Sequence, residues 1–149
     1  MTPAIRPARA GEEAALTELA VRSKGHWGHD ADFLERARAE LTLRPGDLDR
    51  WIVRVAERAG EVVGFSAVDV AGAELEMLFV EPAAIGTGAG GALLRDALAQ
   101  AAGAGLQALL IEADPDAEPF YLAAGAEPCG RRTSSSTGRS LPLLRIPAG

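Results

Sequence analysis

The amino-acid sequence predicts an α+β domain with a single mixed, mostly antiparallel sheet flanked by helices. Two helical segments come first, three strand-like segments follow, and a glycine-rich stretch then leads into a helix and an apolar strand. Alternating apolar and polar residues indicate strands, whereas apolar residues three and four apart indicate helices. With 149 residues the chain can form one hydrophobic core, and we expect a single domain over residues 1–149.

The N-terminal third predicts one strand and two helices. Residues 4–6 are short enough for an edge strand. Residues 11–23 place apolar side chains at helical spacing and carboxylates in the first turn, where they interact favourably with the helix dipole. Asp30 or Asp32 caps a second helix that ends at Leu41, before a Pro-Gly pair. The segment between the two helices is predicted to be a loop.

The middle of the chain predicts three consecutive antiparallel strands. Their apolar and β-branched residues fall in segments 51–56, 62–70 and 74–80. Residues 57–60 form a hairpin-like link between the first two, and an Ala-Gly pair turns the chain into the third.

The C-terminal half predicts two more helices and three more strands. A helix begins near Ala89 and ends at Gly103 or Gly105. Residues 106–111 form a short apolar strand, which we expect to be buried on both faces and parallel to the strand before the helix. A short helix and two further strands complete the chain, over residues 117–124, 126–131 and 141–146.

Composition excludes some classes of function. The net charge of −6 argues against a nucleic-acid surface, which needs a basic stripe, and weakly favours a cationic partner. No apolar run is long enough to span a membrane, and the N-terminal residues lack a secretion-signal pattern. Cys129 is the single cysteine, so no internal disulfide forms, and we expect a buried structural thiol and a cytoplasmic location.

Four glycines lie within six residues after the third middle strand, at Gly86, Gly88, Gly90 and Gly91. Glycines at a strand-to-helix junction let main-chain N–H groups approach a ligand, and the helix start adds a positive dipole end. Phosphate is therefore the expected ligand. A glycine-rich surface turn is the alternative.

Three phosphate-binding motifs compete for this stretch. A Walker loop ends in Gly-Lys-Ser/Thr, and no lysine follows Gly90 here. The dinucleotide fingerprint G-x-G-x-x-G does fit, and Glu112 lies near the distance of its acidic partner. However, the glycines follow an antiparallel meander, and too little chain remains for a doubly wound parallel sheet. The third motif is a coenzyme A pyrophosphate site.

Three segments in a fixed order support that third motif. They are Leu-Phe-Val-Glu-Pro at 78–82, Ile-Gly-Thr-Gly-Ala-Gly at 85–90 and Asp-Ala-Glu-Pro-Phe-Tyr-Leu-Ala-Ala-Gly at 116–125. In these segments the sequence resembles the GNAT superfamily of N-acetyltransferases, and order and spacing match through residues 74–130. The resemblance implies the GNAT acyl-CoA N-acyltransferase fold and acetyl-CoA as co-substrate.

The resemblance also implies which residues contact the coenzyme. These are Leu78, Phe79, Val80, Ile85, Gly86, Thr87, Gly88, Ala89, Gly90, Gly91, Asp116 and Phe120. Two positions depart from the family pattern. Ile85 stands where Gln or Arg is usual, so one polar or basic group near the pyrophosphate is missing. Asp116 stands where Asn is usual and lacks its amide donor.

Two residues are candidates for the chemistry. The resemblance implies direct attack of an amine on the thioester, with Tyr121 as the acid that protonates the leaving thiolate. Packing of that ring into the core is the alternative. Glu76 is the candidate general base, because the family often places a carboxylate there. Glu74 lies two residues earlier and shares its face until any bulge, and a solvated strand face is the alternative for both.

The loop around residues 24–30 contains two histidines and a tryptophan. His26 and His29 lack a recognised ligand spacing, so we expect no metal. In the resembled fold this loop borders the acceptor pocket, which makes Trp27 and His26 candidate substrate-binding residues; packing under the loop explains Trp27 equally well. Residues 133–139 form either a lid or, preferably, an exposed hairpin loop.

The sequence thus predicts a cytoplasmic N-acetyltransferase that moves an acetyl group from acetyl-CoA to a primary amine of a small molecule or a protein. A non-catalytic acyl-CoA-binding module is the alternative, and a nicotinamide-dependent oxidoreductase is the weakest interpretation. No nucleic-acid or membrane partner is expected, and the resemblance allows a homodimer.

Overall fold

The computed structural model describes residues 2–134 and 137–149. The helices are α1 (Glu13–Gly25), α2 (Ala31–Leu41), α3 (Asp47–Arg50), α4 (Ala89–Gly103) and α5 (Glu118–Ala123), with a 3₁₀ turn over Pro82–Ala84. The strands are β1 (Ala4–Pro7), β2 (Ile52–Arg58), β3 (Glu61–Asp69), β4 (Glu74–Val80), β5 (Ala108–Glu112), β6 (Glu127–Thr133) and β7 (Ser140–Pro147).

All the strands belong to one seven-stranded sheet in the order β1-β2-β3-β4-β5-β7-β6. The pairs are antiparallel except for β4 with β5, which is parallel. α4 connects these two parallel strands, as a crossover connection requires. The predicted mixed, mostly antiparallel sheet is confirmed.

Helices cover both faces of the sheet because alternate residues of a strand point to opposite faces. On β2, Val53 and Val55 are buried in a cluster with α1 and α2, whereas Arg54 forms an ion pair with Asp96 of α4 at 3.0 Å. α4 approaches β3 closely, since a Cβ atom at Gly64 would lie 2.8 Å from Leu93 Cδ1. A second apolar cluster joins α4 and α5 to β5 and β7.

The sheet opens between β4 and β5. Glu74 pairs with Leu110, and the N–H of Leu110 donates to the Ala73 carbonyl at 2.8 Å; no other register pair joins these two strands among the described residues. On its other side β4 stays paired with β3 as far as Val80. We call this opening beyond Glu74 the split. It leaves one edge of β4 without strand partners in the interior of the sheet.

A β-bulge adds to the distortion of β4 at the split. Met77 pairs with Ala67 of β3 and Leu75 pairs with Val68, so Glu76 is an extra residue without its own partner. Bulges bend a strand and redirect a side chain. The residue that is redirected here is the predicted general base.

The predicted elements are present with boundaries that differ by up to two residues at most ends. α1 begins two residues later than predicted, and Asp30 caps α2 by accepting the Phe33 N–H at 2.7 Å. The short α3 and the 3₁₀ turn were not predicted, because single turns carry too few residues for a periodic pattern. No described helix has the length and apolarity that a bilayer-spanning segment needs.

Two expectations about burial are wrong. Cys129 is exposed, because it lies at a register shift in β6, which forms the edge of the sheet. β5 is fully buried on one face only: Leu109 and Ile111 are buried, whereas Leu110 between them is half-buried. The second face of β5, which carries residues 108, 110 and 112, is therefore only partly covered.

Candidate active site

Two cavities lie beside the split and meet at Leu78 and Ala117, which line both. The first has a volume of about 490 Å³ and is bordered by α1, the end of β4, the glycine stretch and α5; we call it the glycine cleft. The second has a volume of about 310 Å³ and lies between β4 and β5; we call it the carboxylate cavity. Two ligands could therefore meet at β4.

The glycine cleft is shaped by backbone conformation. Gly86 and Gly88 have φ angles of +82° and +89°, which side-chain-bearing residues rarely adopt. Gly88 is the N-cap of α4, and its carbonyl accepts the first helical bond from the Ala92 N–H at 3.0 Å. The N–H groups of the first helical turn have no intrahelical acceptor, so they are available for an anion.

Arg58 holds this loop from outside. Its Nη1 donates to Thr87 Oγ1 at 2.9 Å, and Thr87 in turn donates to the Ala84 carbonyl. Arg58 is the last residue of β2 and lies 29 residues from Thr87 in the sequence, so no local pattern could have indicated the contact. The structure thus brings a basic residue to a loop whose usual basic position is Ile85.

Most of the predicted coenzyme contacts line the glycine cleft. They are Leu78, Val80, Ile85, Gly86, Gly88, Gly90, Gly91, Asp116 and Phe120. Phe79 instead lines the carboxylate cavity, and Thr87 and Ala89 line neither cavity. Thr87 faces Arg58, and Ala89 is buried under the helix start. The apolar side of the cleft includes Phe120, which lies 3.5 Å from where a Cβ atom of Gly90 would be.

The carboxylate cavity contains both predicted chemical groups, Glu76 and Tyr121. Burial raises the pKa of Glu76 to about 7, and repulsion from Glu74 and Asp69 contributes to the shift. A carboxylate that titrates near neutral pH is well matched to accept and release a proton. The bulge therefore places a carboxylate with a near-neutral pKa at the split.

Tyr121 is buried, with 6% of its surface exposed. Burial raises the pKa of its phenol well above the ordinary value, so the group keeps its proton at neutral pH. No described residue forms a hydrogen bond with its hydroxyl group. Burial disfavours the charged form of any acid, so it would raise the pKa of a thiol beside Tyr121 as well as that of the phenol.

The carboxylate cavity contains ion pairs that sequence reasoning did not predict. Nη1 of Arg132 lies 3.3 Å from both Glu74 and Glu112, and joins β6 to β4 and β5 across the split. Lys24 of α1 lies 3.2 Å from Asp114. Burial alone would raise the pKa of Asp114, but the N–H of residue 116, Lys24 and Arg139 together lower it below its ordinary value. These partners are between 20 and 90 residues apart and have no sequence signature.

The loop after α1 behaves differently from the rest of the predicted site. Trp27 is 48% exposed and lines the glycine cleft, whereas His26 is exposed and lines neither cavity. His29 lies 3.9 Å from both Asp114 and Asp116, and these three residues could together face one cation. Asp114 already has Lys24 as a partner, and the expectation that no metal is used stays a prediction.

The ends of the segment between β6 and β7 pack against the protein, unlike those of a freely exposed loop. Ser134 is buried and donates to Glu40 of α2 at 3.1 Å. Arg139 lies 3.6 Å from Asp114 and 5.0 Å from the centre of the Phe33 ring. Residues 135 and 136, which belong to the same predicted hairpin loop, lie outside the described residues.

Solved structures with this fold cover nearly the whole chain. The GCN5-related N-acetyltransferase of Rhodopseudomonas palustris is 24% identical, with a TM-score of 0.81 over 99% of this chain and 95% of that chain. The PaiA N-acetyltransferase of Thermoplasma acidophilum, solved with coenzyme A, is 16% identical, with a TM-score of 0.78 over 99% of both chains. A phosphinothricin acetyltransferase of Sinorhizobium meliloti, solved with acetyl-CoA, is 23% identical, with a TM-score of 0.73 over 100% of this chain and 90% of that chain. The fold is that of the acyl-CoA-dependent N-acetyltransferases.

Sequence comparison identifies the family. Residues 35–140 match the family described as acetyltransferase (GNAT) domain, which is well over half of the chain. The chain therefore belongs to the GNAT acetyltransferase family. No protein of curated function matches the sequence.

Proposed function

We propose that this protein transfers an acetyl group from acetyl-CoA to the primary amine of an acceptor, by direct attack and without an acyl-enzyme. One observation carries the proposal: a glycine cleft suited to an anion and a cavity with a carboxylate of pKa about 7 meet at Leu78, beside the unpaired edge of β4. The first cleft would hold the coenzyme, and the second would admit the amine.

The glycine cleft fits an acyl-CoA. The positive φ angles at Gly86 and Gly88 shape the loop before α4, and the first main-chain N–H groups of α4 would bind a pyrophosphate there. Arg58 holds the same loop through Thr87. Apolar side chains of Leu78, Val80 and Phe120 would contact the pantetheine arm. The bound coenzyme supplies the thioester that the amine attacks.

Residues of the carboxylate cavity would move the protons. An amine is nucleophilic only as the neutral species, and Glu76 would accept, directly or through water, the proton that its nitrogen loses as the C–N bond forms. The unpaired main-chain groups of β4 near Leu78 would orient the thioester and stabilise charge on its oxygen. Tyr121 would donate its proton to the departing thiolate. The step then balances: the C–N bond forms while the C–S bond breaks, the nitrogen loses one proton to Glu76, and the sulfur gains one proton from Tyr121. Through solvent, Glu76 would release its proton and Tyr121 would regain one, which returns both groups to their starting states.

A spectrophotometric assay of free thiol release tests the proposal. Purified protein with acetyl-CoA and a panel of primary amines should release thiol above the rate of hydrolysis, and acetyl-CoA should raise the melting temperature. Activity should persist after exhaustive chelation, since no metal is assigned a role. Binding of acetyl-CoA without acyl transfer to any amine would indicate the non-catalytic module instead. Stabilisation by NAD and not by CoA would overturn the assignment.

We infer a cytoplasmic enzyme from the single cysteine, because a chain that forms no internal disulfide suits a reducing compartment. A homodimer remains compatible with the family, and size-exclusion chromatography with light scattering would decide it.

A further inference from the structure

The charged side chains that line the carboxylate cavity are mostly negative. Five carboxylates line it, and only two cations do within the described residues. The carboxylates are Glu40, Glu74, Glu76, Glu112 and Asp114, and the cations are Lys24 and Arg132. A concave, partly dry surface of one sign concentrates ligands of the opposite sign.

Among the described residues, two of the carboxylates have no cation within ion-pair distance, although Arg132 and Arg50 act on Glu76 from farther away. Arg132 is shared by Glu74 and Glu112, and Lys24 faces Asp114. Among the described residues, Glu76 and Glu40 form no ion pair. Glu40 accepts a hydrogen bond from Ser134, which leaves its negative charge uncompensated.

These two carboxylates differ in depth. Glu76 is half-buried on β4, whereas Glu40 is exposed at the end of α2 and so lies at the mouth of the cavity. The cavity therefore has one carboxylate without an ion pair at a half-buried position and another at an exposed position.

We propose that the acceptor is a small amine that carries a second positive charge, with the reacting amine beside Glu76 and the distal cation beside Glu40. This inference rests on the proposed function. An acceptor that carries a carboxylate, such as an amino acid, would need a free cation at the mouth of the cavity. Both cations that line the described part of the cavity already have carboxylate partners.

A series of acceptors of equal length tests the inference. Butylamine, 1,4-diaminobutane and 4-aminobutanoate differ mainly in the charge of their distal end. We expect kcat/KM for the diamine to exceed that for butylamine about tenfold, and 4-aminobutanoate to be the poorest. The preference should shrink at 0.5 M salt, where charges that face solvent are screened.

Two variants of α2 separate a specific effect from general charge. Glu40→Gln should bring the ratio of diamine to butylamine close to one, chiefly through KM for the diamine. Glu35→Gln is the matched control, because Glu35 is exposed on the same helix and does not line the cavity. It should leave the ratio unchanged.

Calorimetry on the CoA-bound protein keeps the two proposals distinguishable. Failure of CoA to bind would count against the proposed function. If CoA binds but the diamine binds no more tightly than butylamine or 4-aminobutanoate, the inference is overturned while the acetyltransferase assignment stands. A preference that persists in Glu40→Gln would also overturn it.

Discussion

The two edges of β4 are built in opposite ways. On one side, β4 continues the antiparallel meander of β1–β4, with register pairs from Glu74 to Val80. On the other side, a single register pair joins it to β5 before the strands separate. On the paired side, the neighbouring strand β3 carries buried apolar residues such as Phe65 and Ala67. The unpaired side borders both cavities, and Glu76 and Tyr121 line one of them.

This contrast shows how one strand can serve both stability and binding. The meander holds β4 in place through main-chain bonds, so the opposite edge can keep its own N–H and C=O groups for ligands. Ion pairs follow the same division. In the meander they are short and link neighbouring elements, as with Arg6 and Glu57 at 2.7 Å. At the split they are longer and span the gap, as with Arg132 at 3.3 Å.

The largest effect should come from Tyr121 at the split. Tyr121→Phe keeps the buried ring but removes the acid, so turnover should fall by about 10²–10⁴, the usual contribution of one general acid. Coenzyme affinity and melting temperature should change little. Steady-state kinetics with a productive acceptor, together with CoA calorimetry, would check this.

Near-normal turnover of the Tyr121→Phe variant would reduce Tyr121 to a packing residue and favour water as the acid. A turnover decrease accompanied by a lower melting temperature would point to packing as well.

Glu76→Gln should have the next largest effect, a decrease of about 10² in kcat/KM at pH 8, at the low end for a general base. The pKa of Glu76 is about 7, so the ratio of wild-type to variant rates should rise from pH 6 to pH 8 and then level off. Taking this ratio removes the titration of the acceptor amine, which both proteins share. Glu74, Asp69, Arg132 and Arg50 set the same field in both proteins.

The stability of Glu76→Gln provides a control. The folded-state pKa of Glu76 lies above its ordinary value of 4.5, so ionisation of the group lowers wild-type stability as pH rises from about 4.5 to 7. The variant should be at least as stable as wild type at pH 8. A flat rate ratio across this range would exclude Glu76 as the base, and Glu61→Gln on the exposed start of β3 should change neither quantity.

At the glycine cleft, Gly88→Glu should weaken CoA binding by about 30-fold. The φ angle of +89° strains any side-chain-bearing residue, and a carboxylate near the pyrophosphate adds about 2 kcal/mol of repulsion at an intermediate dielectric. Calorimetry with CoA is the direct measurement.

Gly105→Glu is the matched control, because Gly105 has nearly the same φ angle, +90°, just beyond the opposite end of α4. It should lose similar stability yet bind CoA normally. Equal weakening of CoA binding by both variants would mean that strain, and not position in the cleft, explains the loss.

The fold could be predicted from local signals, and the class of enzyme from the family resemblance that contiguous motifs carry. Glu76 and Tyr121 both line the carboxylate cavity, and their chemical roles stay predictions. The glycines and the Phe-Tyr pair lie in contiguous motifs, and the strands follow period-two patterns. Other features depend on contacts between distant segments. They are the hydrogen bond of Arg58 to the glycine loop, the ion pairs of Arg132 with two carboxylates, and the position of Glu40 beside the cavity. The burial of Cys129 was misjudged for a similar reason, since sequence does not show which strand forms the edge of a sheet.

The smallest effect should come from the meander, far from the split. Arg6 donates to Glu12 at 2.8 Å and to Glu57 at 2.7 Å, and thereby ties β1 to the start of α1 and to β2. Arg6→Gln should lower the free energy of unfolding at pH 7 by about 1 kcal/mol, as expected of a partly exposed ion pair, and leave kcat/KM unchanged.

The pH dependence of that loss identifies its source. Hydrogen bonds from Arg6 lower the pKa of Glu12 from 4.5 to about 2, so their stabilisation is complete above pH 4.5 and disappears as pH falls toward 2. Urea unfolding of wild type and Arg6→Gln should therefore differ at pH 7 and converge near pH 2. A difference that is constant with pH would mean that packing of the arginine stem, and not its charge, stabilises β1. A decrease in kcat/KM would show instead that the meander and the split are coupled, because a change at the first strand would then reach the unpaired edge of β4 through the sheet.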